Sequence, residues 1–191
     1  MNALARLAGL LVAGLLQGVA IAVPWSGQPS GTLQLLSLAA LVALIDPLRH
    51  TPRGWRTAFG HGWLFATAWL CASFWWLFIS MHTYGGLPAP FAAFAVLALA
   101  GGLGSYYAAA CAAWVRYAPA HPLGAAVVFA ALWTLGELVR GSWFTGFPWG
   151  AGGYAHVDSL LAGYAPWLGV YGLGAVPALL APSAALGLRA V

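Results

Sequence analysis

Apolar runs near the length of a bilayer crossing recur along this chain, separated by short loops of glycine, proline and tryptophan. About 20 apolar residues carry an α-helix across the hydrocarbon core, and inside lipid only helices or closed barrels satisfy their own backbone. The runs predict an all-α membrane protein, a polytopic bundle of about six transmembrane helices. They fall near residues 4–23, 32–46, 57–80, 90–115, 122–140 and 166–188 and are expected to form a single transmembrane domain over residues 1–191. Composition agrees: 62% of residues are hydrophobic and 5% charged, outside the range of a water-soluble domain.

Each run carries its own signal. The first has Ala20-Ile21-Ala22 near its end, in the style of a signal-peptide cleavage site, but its length and the spans that follow at once favour a membrane helix. Gly14 and Gly18 within it stand four apart, either to admit a neighbouring helix or as background in a chain of 25 glycines. The second run is short and is expected to stop at Asp46-Pro47, where proline cannot continue the hydrogen-bond ladder. The third closes on Phe74-Trp75-Trp76-Leu77-Phe78, an aromatic cluster of the kind that settles at headgroup level. Gly101, Gly102 and Gly104 make the fourth a helix expected to pack deep among others.

Charge is sparse enough to orient the chain. There are seven arginines and no lysine, and the only acids are Asp46, Glu137 and Asp158. With the N-terminus in the cytoplasm, Arg6, Arg49, Arg53, Arg56, Arg116 and Arg189 share one side, leaving Arg140 opposite, as the bias of cytoplasmic loops toward positive charge requires. Single arginines without a basic stripe exclude nucleic acid as a partner. The same scarcity excludes a buried catalytic lysine or a pair of adjacent carboxylates. Cys71 and Cys111 lie in apolar runs as inert thiols. His50, His61, His82, His121 and His156 form no i, i+3 or i+4 pair, so no metal site and no cofactor are expected. Asp158 is read as the cap of a short helix over residues 159–162.

The most informative stretch is Gly136 to Tyr154, GELVRGSWFTGFPWGAGGY. Glu137 and Arg140 are spaced to pair across one helical turn. Such a pair at a membrane helix end is either structural, with arginine reaching toward water, or Arg140 meets a lipid phosphate. Gly146 and Pro148 forbid helix beyond it, and irregular backbone at this depth must be covered by protein or line a cavity. Two arrangements satisfy this: an interfacial aromatic anchor, or a lipid-accessible groove lined by Trp143, Phe147 and Trp149. Trp75 and Trp76 would face the same side.

The segment ELVRGSWFTGFPW, Glu137 to Trp149, resembles the N-terminal membrane region of bacterial apolipoprotein N-acyltransferases. SFWWLFISMHTYGGLPAP, Ser73 to Pro90, is similar to that family's third-helix end and the loop after it. HVDSLLAGYAPWLGVYGL, His156 to Leu173, is similar to the entry of its sixth helix. The resemblance implies an inner-membrane enzyme that moves an acyl chain from a phospholipid to the α-amino group of a lipoprotein's N-terminal diacylglyceryl-cysteine. It implies that the chemistry belongs to a periplasmic nitrilase-like domain, with a Glu, Lys and Cys triad working through a thioester, inserted between the seventh and eighth helices. This chain ends after the sixth helix, has no lysine and keeps its cysteines in apolar runs. It is therefore expected to be the membrane part of such an enzyme, as a fragment, a truncated product or one piece of a split protein. It carries no catalytic residue in this reading and is inactive alone.

The expected lipid or substrate contacts are Glu137, Arg140, Trp143, Gly146, Phe147, Pro148, Trp149, Trp75 and Trp76. The expected partners are a phospholipid acyl donor, a diacylated apolipoprotein N-terminus, membrane lipids and the nitrilase-like domain. Two rival classes stay open. A small multi-pass transporter would explain buried polar residues but calls for matched repeats, which are not found. A non-catalytic membrane scaffold would explain the small-residue packing but not the aromatic loops.

Overall fold

In the computed structural model, which describes residues 2–187, six α-helices close a ring. They are α1 (Ala3–Val19), α2 (Gly31–Ile45), α3 (Gly54–Ile79), α4 (Ala89–Tyr117), α5 (Pro122–Ser142) and α6 (Ala165–Gly187). The packing order is α1–α3–α4–α5–α6–α2 and back to α1. There is no strand among the described residues, so the all-α class holds. Five helical segments, Gly31–His50, Gly54–Tyr84, Ala89–Tyr117, Pro122–Thr145 and Leu160–Gly187, are long and apolar enough to cross a membrane; Ala3–Val19 is a shorter apolar helix. Leu188, at the expected end of the sixth span, and Arg189 lie outside the described residues.

α2 ends at Ile45, as expected at Asp46-Pro47, but the helical path goes on. α2 passes directly into a 3-10 turn, Asp46–His50, in which Pro47 occupies the first turn. There its missing N–H would have no partner in any case, and its fixed φ suits the start of a helix. The helical path therefore runs 20 residues, to His50. Asp158 is not a cap: the 3-10 turn Leu160–Tyr164 is capped by Ser159, whose hydroxyl accepts from the Leu161 N–H at 3.1 Å. The cap is the extended residue immediately before the helix, and here that is Ser159.

Close helix approach uses the small residues. A Cβ on Gly18 would stand 2.6 Å from the Ala72 side chain, and one on Gly14 would meet the Phe65 carbonyl, so α3 lies directly on this face of α1. Along α4, Gly101 carries the Trp63 ring, whose Nε1 donates to the Gly101 carbonyl at 2.8 Å, and Gly104 faces Thr67. Gly102 faces open space.

The ring is filled by a column of aromatic side chains from α3, α4 and α5. Trp69 stacks on Trp133 at 5.9 Å, Trp133 stacks on Phe129 at 5.5 Å, and Phe129 meets Trp114 edge-on at 5.7 Å. Each contact adds about 0.5–1.5 kcal/mol beyond the area it buries. An arginine closes each end: Arg140 stands 5.9 Å from the Trp69 ring and Arg49 stands 5.1 Å from the Trp114 ring.

Candidate lipid site at the end of α5

Arg140 sits in the last turn of α5, where a cation favours the helix dipole. It does not reach toward water; its residue is 1% exposed. Its Nη2 donates to Glu137 Oε2 at 3.0 Å, its Nε to the Tyr107 hydroxyl at 2.7 Å, and its Nη1 to the carbonyls of Phe147 and Trp149, both at 2.7 Å. Four of the five N–H donors of a guanidinium are thereby engaged by protein. Glu137, also buried, accepts the Gly152 N–H at 3.1 Å through its other oxygen. The pair thus ties α5 to α4 and to the loop after α5 at three points of backbone.

That loop is strained as well as pinned. Phe144 (φ 50°), Thr145 (φ 76°) and Gly146 (φ 76°, ψ 149°) follow one another in the left-hand half of backbone space. Gly146 occupies a region open essentially to glycine alone, and a Cβ there would collide with the Gly141 carbonyl. The Phe147 N–H returns to the Arg140 carbonyl at 2.8 Å. Strain of this kind persists only where the surroundings over-determine it, and the carbonyl bonds from Arg140 supply that determination.

The fixed loop delivers its aromatic residues to the end of α3. Trp149 meets Trp76 edge-on at 5.7 Å, and half-buried Phe147 meets Phe74 at 4.9 Å. Trp75, Trp76 and Trp149 line one cavity of about 450 Å³, together with Gly18, Ser73 and Tyr154. Trp75 and Trp149 are about three-fifths exposed, and Pro148 is exposed beside them. Trp143 is elsewhere: its ring packs on Tyr106 at 6.4 Å, over a separate groove between α4 and α5. α3 itself leaves regular geometry here, ending in a π-turn at Ser80–Tyr84, an irregularity frequent at functional sites.

Four polar residues complete the site, none of them expected there from the sequence. Gln34 of α2 donates its amide to the Gly152 carbonyl at 2.8 Å, leaving its Oε1 to accept from His156 Nε2 at 2.7 Å. The His156 proton therefore sits on Nε2, and burial lowers the pKa of the imidazole below its ordinary value. Gln17 of α1 is 1% exposed beside this node, and its amide makes no hydrogen bond among the described residues. Tyr107 anchors Arg140 from α4. A signal was present for the glutamines: a polar side chain inside an apolar span is costly and needs a reason.

The chain matches the family profile "Apolipoprotein N-acyltransferase N-terminal domain" over residues 13–182. It is 58% identical over 171 residues to an apolipoprotein N-acyltransferase of Verminephrobacter eiseniae, covering 90% of this chain and 32% of the relative. It is 47% identical over 152 residues to one of Ralstonia nicotianae, covering 78% of this chain and 28% of the relative. A Pseudomonas putida protein of the same name is 38% identical over 141 residues, covering 73% and 27%. The chain spans about a third of the length of the relatives it matches. With its apolar helices and bacterial relatives it is a bacterial membrane protein, and it belongs to the apolipoprotein N-acyltransferase family, within that family's N-terminal domain.

Proposed function

We propose that this chain is a single transmembrane domain that presents lipid to the acyl-transfer chemistry of an apolipoprotein N-acyltransferase. The reading is carried by one observation: a loop held by buried Arg140 and Glu137 sets Trp149 against Trp76, and both line a cavity of about 450 Å³. Both substrates, a phospholipid donor and a diacylated lipoprotein N-terminus, are lipids. Withdrawing an acyl chain from the bilayer exposes methylenes at about 0.8 kcal/mol each unless an apolar path is continuous. In this reading Trp75, Trp76, Phe147, Pro148 and Trp149 make that path, and Glu137, Arg140 and Gly146 position it. Trp143 would meet lipid on the neighbouring groove.

The bond-making groups are proposed to belong to a nitrilase-like domain, on the same polypeptide or a separate one. This chain has no lysine, and its cysteines are a buried Cys111 and a half-buried Cys71 within helices. The proposed setting is the bacterial inner membrane with the N-terminus cytoplasmic and the loop after α5 periplasmic, the orientation that follows from the arginine distribution.

Two measurements test this. In the full-length enzyme, Trp149→Ala should slow acyl transfer from phospholipid to a diacylated peptide while leaving the unfolding temperature close to that of the parent; unchanged transfer removes the loop from the lipid path. The purified chain alone should give no transfer, and turnover by it would overturn the assignment of the chemistry to another domain.

A further inference from the structure

At the opposite end of the bundle three cavities lie side by side, and Arg116 lines all of them. One of about 340 Å³ also takes in Asp46, Arg49 and His50. A second, about 320 Å³, adds Thr51 and Arg53. The third, about 390 Å³, is an apolar groove between α3 and α4 formed by Trp55, Phe59, Ala109, Ala112, Ala113 and Tyr117. It shares Ala109 and Ala113 with a further groove of about 280 Å³ between α4 and α5, which reaches Tyr106 and Trp143. Arginine-lined polar cavities therefore adjoin apolar grooves on either side of α4.

The electrostatics of these cavities are one-sided. Among the described residues, Arg49, Arg53 and Arg116 line the first two cavities, and the one carboxylate lining them is Asp46, which Arg49 holds at 3.2 Å. Arg49 is a fixed part, because its Nη2 also donates to the carbonyls of Ala118, at 3.1 Å, and Pro119. Arg53 and Arg116 make no ion pair among the described residues. The Arg116 guanidinium lies over the Tyr117 ring at 5.4 Å, and Trp55 and Tyr117 are exposed at the mouth of the groove, where amphipathic rings suit the headgroup level. A bias of positive charge toward one side of a membrane requires arginines somewhere in those loops. It does not require three of them to line adjacent cavities beside an apolar groove.

We infer that this end of the bundle binds an anionic phospholipid, with its phosphate between Arg53 and Arg116 and one acyl chain lying along the groove over Ala113 and Ala109. Guanidinium groups recognise phosphate oxygens through paired N–H donors, and basic pockets between transmembrane helices are suited to anionic headgroups. The site is separate from the cavity of Trp75, Trp76 and Trp149, and it does not rest on the acyl-transfer reading.

The test uses the full chain in mild detergent with equimolar phosphatidylglycerol and phosphatidylcholine of identical acyl chains, with retained lipid read by native mass spectrometry. Phosphatidylglycerol should be retained about tenfold over phosphatidylcholine, and the double substitution Arg53→Gln, Arg116→Gln should abolish that preference. Ala109→Leu, at an exposed position within the groove, should lower retention with both arginines in place. Equal retention of the two lipids, or an unchanged preference in the double variant, overturns the inference. Displacement of phosphatidylglycerol by an equal concentration of inorganic phosphate also overturns it, since the arginines would then serve a free anion.

Discussion

Arginine stands at both ends of the aromatic column through α3, α4 and α5, and the two ends use it oppositely. At the α5 end, Arg140 is buried with its carboxylate, a tyrosine hydroxyl and two loop carbonyls around it. At the other end Arg49 is tied down, while the side chains of Arg53 and Arg116, which line a cavity there, make no hydrogen bond or ion pair among the described residues. The side chain is the same; what differs is how many of its N–H groups the protein itself engages. A guanidinium with its donors occupied holds backbone, and one with its donors open can take a phosphate. This is why the loop from Gly146 to Trp149 is held in place by Arg140.

The comparison is tested most strongly by deleting one arginine from each end. Arg140→Ala leaves Glu137 ionised and unpaired in a buried site and should destabilise the bundle by about 3–5 kcal/mol. Arg116→Ala, at an exposed position, should stay within about 0.5 kcal/mol. Unfolding in detergent, followed by tryptophan fluorescence, measures both, and equal effects would dissolve the contrast. A smaller loss, about 1–3 kcal/mol, is expected for Gly146→Ala, which forces a side chain into a glycine-only conformation against the Gly141 carbonyl. In the full-length enzyme the same substitution should lower transfer, because Trp149 would no longer be held at Trp76.

The smallest effect expected is a pH dependence. His156 is buried as the neutral imidazole, with its folded pKa held below the unfolded value of about 6.5 by desolvation. The unfolded chain then binds more protons, so this contribution is complete above about pH 6.5 and is lost as pH falls through the folded pKa. The unfolding temperature of the natural chain should drop on acidification through that window. In His156→Gln the corresponding slope should be shallower, and an identical slope would show that another group governs it.

The Glu137–Arg140 pair was legible because its partners lie three residues apart on one chain segment, within reach by helix geometry alone; Asp46–Arg49 has the same spacing but was not read as a pair. The wider network was not. Gln34 meets Gly152 across 118 residues and His156 across 122, and no local pattern encodes such pairings. Trp143 shows the reverse: its place in the motif suggested company with Trp149, whereas the left-handed turn at Phe144 and Thr145 separates the two rings into different grooves. The spacing of Gly14 and Gly18 permitted a close helix contact, but only packing identified α3 as the neighbour.

From the sequence alone come the all-α membrane class and the family, because hydropathy over some 20 residues and a dense aromatic motif are local properties of the chain. Tertiary structure alone decided that the six helices close into a ring, that Pro47 begins a turn instead of ending a span, and that Arg140 faces inward while Arg116 does not. An arginine near a helix end satisfies its donors with whatever oxygens the fold brings there. At the end of α5 those oxygens belong to the protein's own loop, and their arrival depends on helices distant in sequence.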